Sequence, residues 1–289
     1  MKPIVPILLI GSAAILAAIG AGYCTNKNNP SAAAQESAPV SSPSVAADNS
    51  ARQPRHGNHE GLDRVRMDNP ENSLEKEYEG FRLSFNKKNK TPDYVAWELL
   101  GSEADATDVS RTNNFWCDPD IDGCPTPEDY KRSGYNRGHM CPAADQKWSL
   151  QAMSDCFVMA NMCPQAHALN AGAWNTLENK ERQWARRDSA IMIVAGPIYT
   201  ADDKETIGAS QVRVPGAFFK AIIAPYVEKP RGIAFIYPNM SSPGNMENYV
   251  TTIDYVEQLT GLDLFYNLPD ELENEIESTS SFREWNRKH

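Results

Sequence analysis

Asn161-Met-Cys-Pro-Gln-Ala-His-Ala-Leu-Asn170-Ala-Gly-Ala-Trp-Asn-Thr-Leu-Glu178-Asn-Lys-Glu-Arg182 is the stretch on which the reading of the fold turns. An extended, proline-containing segment gives way to a helical pattern from Ala171 to Arg187. Asn170 stands where that helix would start, and Trp174, Glu178 and Arg182 follow at four-residue steps along one slowly drifting face. Eight residues of helix span about 12 Å. Asn170 and Glu178 therefore cannot both be inner ligands of one ion unless the first turn departs from helix. A hydrated ion relieves the difficulty, because Mg²⁺ gives up water reluctantly and is commonly held by one or two protein oxygens, with a carboxylate acting through bound water. Without a metal, Glu178 and Arg182 read as an exposed i,i+4 ion pair worth roughly 0.2–0.5 kcal/mol.

Upstream, Ser133-Gly-Tyr-Asn-Arg-Gly-His-Met-Cys-Pro-Ala-Ala-Asp145 gathers a histidine, an arginine and amides around a glycine, ahead of a proline that enforces extended or turn geometry. His139 is the histidine set among such polar groups, whereas His56, His59 and His289 fall in tails. An imidazole of ordinary pKa, about 6.5, is suited to taking a proton from water at neutral pH.

Around these segments, short β-branched or aromatic runs at Tyr94–Leu100, Cys156–Ala160, Ala190–Ala195, Phe218–Pro225 and Gly232–Tyr237 read as strands. Several are apolar throughout, which suits a sheet covered on both faces. A second helix is expected over Met246–Leu259, stopped by Thr260-Gly261. The mixture is α+β rather than a regular βαβ alternation. The folded domain is placed at residues 69–278, between a Ser/Ala/Pro-rich flexible linker at 26–68 and a C-terminal tail at 279–289.

A net charge of -10 argues against an abundant nucleic-acid coat protein. It leaves room for an enzyme with arginines clustered at one site. Lys2 followed by an uncharged apolar run reads as a signal peptide or an N-terminal membrane anchor over residues 1–25. The expected location is the cell envelope, periplasm or outside. At Cys24 a lipid-modification reading meets the bulky Tyr23. An oxidising compartment favours pairing among the five further cysteines, with Cys117 and Cys124 bracketing a turn-prone loop as the best candidate disulfide.

Asn136-Arg-Gly-His139, Asn161-Met-Cys-Pro-Gln165 and Leu169-Asn-Ala-Gly-Ala-Trp-Asn-Thr-Leu-Glu178 together resemble the DNA/RNA non-specific endonuclease family of the ββα-metal (His-Me finger) superfamily. Tyr94–Leu99, Gly196–Tyr199, Val214-Pro215 with Phe219-Lys220, and Thr260–Pro269 look like further family blocks in the same order. The resemblance implies a central, mainly antiparallel sheet flanked by helices. It implies endonucleolytic hydrolysis of DNA and RNA without regard to sugar or sequence, giving 5′-phosphate products. His139 matches the general base, Asn170 the sole direct metal ligand, Glu178 the carboxylate that orients metal-bound waters, and Arg182 a phosphate-contacting arginine. Arg137 lies within the signature, and Arg111 looks like the remaining phosphate-binding arginine. The implied cofactor is Mg²⁺, with Mn²⁺ or another divalent cation as substitute. DNA and RNA are the implied partners, while homodimer formation, membrane anchoring and an inhibitor are left open by the sequence.

Phosphodiester hydrolysis accounts for such a set. A base activates water on one side of phosphorus, a hydrated cation serves the departing oxygen, and arginines neutralise the phosphorane between them. Contacts limited to the backbone carry no direct base information, hence the indifference to sequence. Asn136 departs from the family, whose signature begins with Asp. The amide preserves hydrogen bonding while removing a charge that favours a protonated imidazole, which predicts retained activity with an altered pH profile. Two rival readings are a homologue that binds nucleic acid without cutting it, and a zinc module of Cys117, Cys124, Cys141 and His139, whose spacings are unlike paired zinc ligands.

Overall fold

The computed structural model describes residues 61–242 and 244–287. The expectations for the N-terminal apolar run, Cys24, residues 26–60 and His289 lie outside them. In chain order the strands are β1 (Arg66–Met67), β2 (Ser73–Glu77), β3 (Arg82–Asn86), β4 (Thr91–Leu100), β5 (Tyr135–His139), β6 (Met162–Ala166), β7 (Ala190–Ile198), β8 (Thr206–Ile207), β9 (Val212–Arg213), β10 (Ala217–Ala224), β11 (Arg231–Pro238), β12 (Val250–Thr251) and β13 (Leu262–Asp263). The helices are α1 (Gly101–Ala104), α2 (Leu150–Asp155), α3 (Asn175–Asp188), α4 (Ile253–Thr260), α5 (Asp270–Ser278) and α6 (Phe282–Trp285).

Seven strands form one antiparallel sheet in the order β12-β11-β10-β7-β4-β3-β2. Its central strands are apolar on both faces because both faces are covered. Trp97, Ile193, Phe218 and Phe235 enter one core with Leu177, Trp184 and Ala185 of α3. Ala96, Val194, Phe219 and Ala234 enter a second with Ile253 and Val256 of α4 and Ile276 of α5. Each large apolar side chain buried in this way contributes roughly 1.5–3 kcal/mol. The architecture is the α+β, sheet-and-helix fold expected.

Several boundaries differ from the sequence reading. Cys156–Ala160 is not a strand: Val158 makes one bridge to Trp116, and Met159–Asn161 is a 3-10 turn. The buried Asn161 side chain holds that turn, donating to the carbonyls of Cys141 and Cys156 and accepting from the Cys141 amide. Met246–Leu259 divides into a 3-10 turn, β12 and α4, with Thr252 capping α4 and Gly261, at φ 69°, ending it. Strands β2 and β3 escaped notice because β2, Ser-Leu-Glu-Lys-Glu, is a charged edge strand.

The fold also reaches past its expected limits. Leu62 is buried, Arg82 pairs with Asp63 at 2.9 Å, and β1 pairs with β13, so the last residues assigned to the linker are folded. At the other end, the supposed tail contributes Trp285, which is fully buried 4.8 Å from the Trp184 ring and donates through Nε1 to the Gly232 carbonyl at 3.2 Å. Among the described residues no helix is long and apolar enough to cross a membrane.

The five described cysteines are free thiols, so the expected Cys117–Cys124 disulfide is not made here. Cys117 Sγ instead donates to the Pro125 carbonyl at 3.1 Å. Cys141, Cys156 and Cys163 lie in the core, where burial pushes their thiols well above the usual range.

Candidate active site

Strands β5 and β6 pair with Asn136 opposite Gln165 and His139 opposite Met162. Gly138 permits the pairing: a Cβ there would come within 2.4 Å of Gln165 Oε1 and 2.6 Å of its Cβ. From β6 the chain passes through a π-helical turn, Leu169–Trp174, into α3, completing a ββα unit packed on one face of the sheet. The α-helix thus begins at Asn175 rather than Ala171. At Gly172 the backbone leaves the helical region (φ −104°, ψ −109°). The first turn departs from helix, so the axial separation that kept Asn170 and Glu178 apart no longer applies. Such π-turns are frequent at functional sites.

His139 ends β5 with 8 % of its surface exposed. Its ring lies edge-on to Phe157, centroids 5.0 Å apart at 89°, and 5.7 Å from Phe115. The guanidinium of Arg137 stacks over Phe115 at 4.0 Å, and that of Arg111 over Phe157 at 5.0 Å. His139 Nε2 has no hydrogen-bond partner. Burial first, then the charge of Arg111 and more weakly that of Arg137, push the imidazole down to about 3, against a backbone hydrogen bond to Arg137 that raises it. The imidazole is neutral at physiological pH.

A groove of about 540 Å³ runs beside this cluster, with Arg111, Phe115, Asn136, Arg137 and Asn170 in its wall. His139 is not among the residues of that wall, but its ring is 5.7 Å from that of Phe115, which is. Asn136 Nδ2 is 3.1 Å from Nδ1 of His167. His167, Phe115 and Phe157 were overlooked as site residues, although His167 sits inside the very segment that decides the fold and Phe115 follows Arg111 by four positions.

Helix α3 brings Glu178, half-buried, beside a charged network. Burial chiefly lifts its carboxyl to about 7; Glu181 and Asp145 add to the rise, while Lys220 and Arg182 oppose it. Glu181 and Lys220 form a fully buried ion pair of 2.8 Å, with the ammonium 4.7 Å from the Trp174 ring. Arg182 turns inward too: Nη1 donates to Asp145 Oδ1 at 2.6 Å and Nη2 to Asn179 Oδ1 at 3.0 Å. It is absent from the groove wall. The Asn170 amide and Glu178 carboxylate are hard oxygen donors, few in number, which suits a strongly hydrated ion such as Mg²⁺. Cys117, Cys124, Cys141 and His139 do not converge. Among the described residues, the group of three His, Cys, Asp or Glu side chains that does is Asp254, Glu257 and Glu277.

The family model described as DNA/RNA non-specific endonuclease matches residues 60–271. The mitochondrial nuclease of Saccharomyces cerevisiae is 34% identical over 218 residues, covering 66% of this chain and 65% of that protein. The mitochondrial nuclease EXOG of Xenopus laevis is 32% identical over 209 residues, covering 67% and 58%. The chain thus spans less than two thirds of the length of either relative. A crystal structure of the EndoG/EndoGI complex superposes with a TM-score of 0.64 at 28% identity, covering 68% of this chain and 88% of that one. Both relatives are named as mitochondrial, which overturns the expectation of an exported, cell-envelope or extracellular protein. An apolar run behind a single lysine reports affinity for an apolar phase, not which membrane receives it.

Proposed function

The chain belongs to the DNA/RNA non-specific endonuclease family, and from that premise we propose that it is an endonuclease hydrolysing phosphodiester bonds of both DNA and RNA, indifferent to sugar and sequence, with 5′-phosphate products. The observation that carries the reading is the arrangement at His139. An imidazole without a partner on Nε2 is braced by two phenylalanines, each carrying a stacked arginine, beside a groove that Asn170 also lines.

In this reading the groove takes the phosphate backbone through Arg111 and Arg137, whose charge compensates the anion without reference to the bases. His139 takes a proton at Nε2 from the attacking water. The docked phosphate offsets the two guanidinium charges that depress the imidazole, so proton acceptance becomes easier once substrate is in place. Asn170 would hold Mg²⁺ directly and Glu178 through water. When bound, the cation supplies positive charge to the departing oxygen and an acidic water to protonate it. Arg182, engaged with Asp145, keeps α3 and hence Glu178 in register with the sheet.

The test is cleavage of supercoiled plasmid and of single-stranded RNA by the full chain, with Mg²⁺ and with chelator, beside His139→Ala, with end analysis of the products. Both substrates should be cut only with the cation, leaving 5′-phosphates. His139→Ala should lose about 10²–10⁴-fold in rate. Cleavage by that variant at the parental rate would sink the proposal.

A further inference from the structure

We propose that Asp254, Glu257 and Glu277 form a second divalent-cation site, of calcium-type oxygen chemistry, that fastens α4 to α5 on the face of the sheet opposite the ββα unit. One oxygen from each of the three carboxylates lies within 4.8 Å of the others. Oxygens bound to one Ca²⁺ at about 2.4 Å stand no farther apart than about 4.8 Å, so this grouping can close on such an ion. Mg²⁺ is usually held by one or two carboxylates and Ca²⁺ by more oxygens in looser geometry, so a group of three carboxylates suits the larger ion. Asp254 and Glu257 are three residues apart on α4 and share one face of it. Glu257 Oε1 is oriented by the Leu264 amide at 2.7 Å.

Glu277 distinguishes this group from an ordinary acidic patch. It is only 5 % exposed, and its Oε1 is buried with no hydrogen-bond partner. A buried carboxylate is retained when it is paired or bound to metal. The charged groups that bear most on Glu277 are Glu257, Glu273, Asp254 and Asp263, all acidic. Arg66, on the exposed side, reaches Asp263 at 3.7 Å. A buried carboxylate oxygen without a partner thus sits among acidic neighbours, the condition that a divalent charge relieves. Asp254 is exposed, leaving a side from which water completes the ion's coordination. Asp254 and Glu257 lie within the range matched by the family and Glu277 beyond its last residue, 271; the helices that carry them pack with a different core from α3.

The experiment is calorimetric titration of the full chain with CaCl₂, with thermal unfolding in parallel, in an Asn170→Ala background that removes the expected groove ligand. One Ca²⁺ should bind and raise Tm. Adding Asp254→Asn, an exposed change that spares the core, or Glu277→Gln should weaken binding at least tenfold and abolish the rise. In the otherwise natural protein, Asp254→Asn should leave Mg²⁺-dependent cleavage unchanged. Absence of both Ca²⁺ heat and Tm shift in Asn170→Ala, or undiminished binding in both double variants, would overturn the site without touching the nuclease reading.

Discussion

Arg182 donates through Nη1 to Asp145 Oδ1 at 2.6 Å while Asp145 Oδ2 accepts from Trp97 Nε1 at 3.2 Å, so a single buried carboxylate joins α3 to the interior strand β4. Breaking one partner of a buried pair leaves an uncompensated charge and costs about 3–5 kcal/mol. Arg182→Ala is therefore expected to lower the urea midpoint sharply. An arginine serving only as a phosphate contact would instead raise KM at unchanged stability, and that result would refute the structural role.

His139 gives a second prediction. Its folded pKa, about 3, lies below its usual 6.5. Between these values the unfolded chain binds a proton that the folded chain does not, so stability is full above about pH 6.5 and declines as pH falls toward 3. The slope is up to about 1.4 kcal/mol per pH unit. His139→Asn should flatten the dependence, as measured by calorimetry across that range in chelator. Identical slopes in parent and variant would mean that the imidazole is not held neutral.

Phe115 supports both Arg137, stacked at 4.0 Å, and the His139 ring. A cation–π contact is worth about 0.5–2 kcal/mol. Phe115→Ala should lower kcat/KM about tenfold with Mg²⁺ affinity unchanged, whereas Phe115→Tyr should retain most of the rate. Equal kinetics for the alanine variant and the parent would remove Phe115 from the site.

At Asn136 the amide meets His167 Nδ1 at 3.1 Å. Asn136→Asp puts a negative charge there, which favours protonated imidazole. The pH–rate profile of the variant should be displaced toward higher pH with the maximal rate retained within a few-fold. Superimposable profiles would show that the amide is a neutral replacement.

The sheet was legible where burial on both faces leaves an apolar run, unbroken in Ala190–Ala195 and interrupted only by Lys220 in Phe218–Pro225, since such runs have few alternative conformations. Cys156–Ala160 has a similarly apolar composition yet becomes a turn, because the side chain of the next residue, Asn161, ties the Cys156 carbonyl to the backbone of Cys141, twenty positions before Asn161. No local pattern encodes that. His139 and Asn170 stood out through spacing and the company they keep, and Arg111, Asn136, Arg137 and Asn170 do meet in one groove. The inward turn of Arg182 was hidden, since its partner Asp145 lies 37 positions earlier. Phe115 and Phe157 carry no sequence sign of a place at the site until the fold sets them against the histidine.

The sealing of the sheet by Trp285 has a bearing on how the molecule is made. Synthesis delivers Gly232 fifty-three positions before the indole whose nitrogen closes over its carbonyl. Until α6 emerges, Trp184 lacks the Trp285 ring and Phe235 the Phe282 ring that pack on them in the finished protein. Nascent chains carry sticky surface through this interval, so chaperone demand persists until residue 285 has left the ribosome.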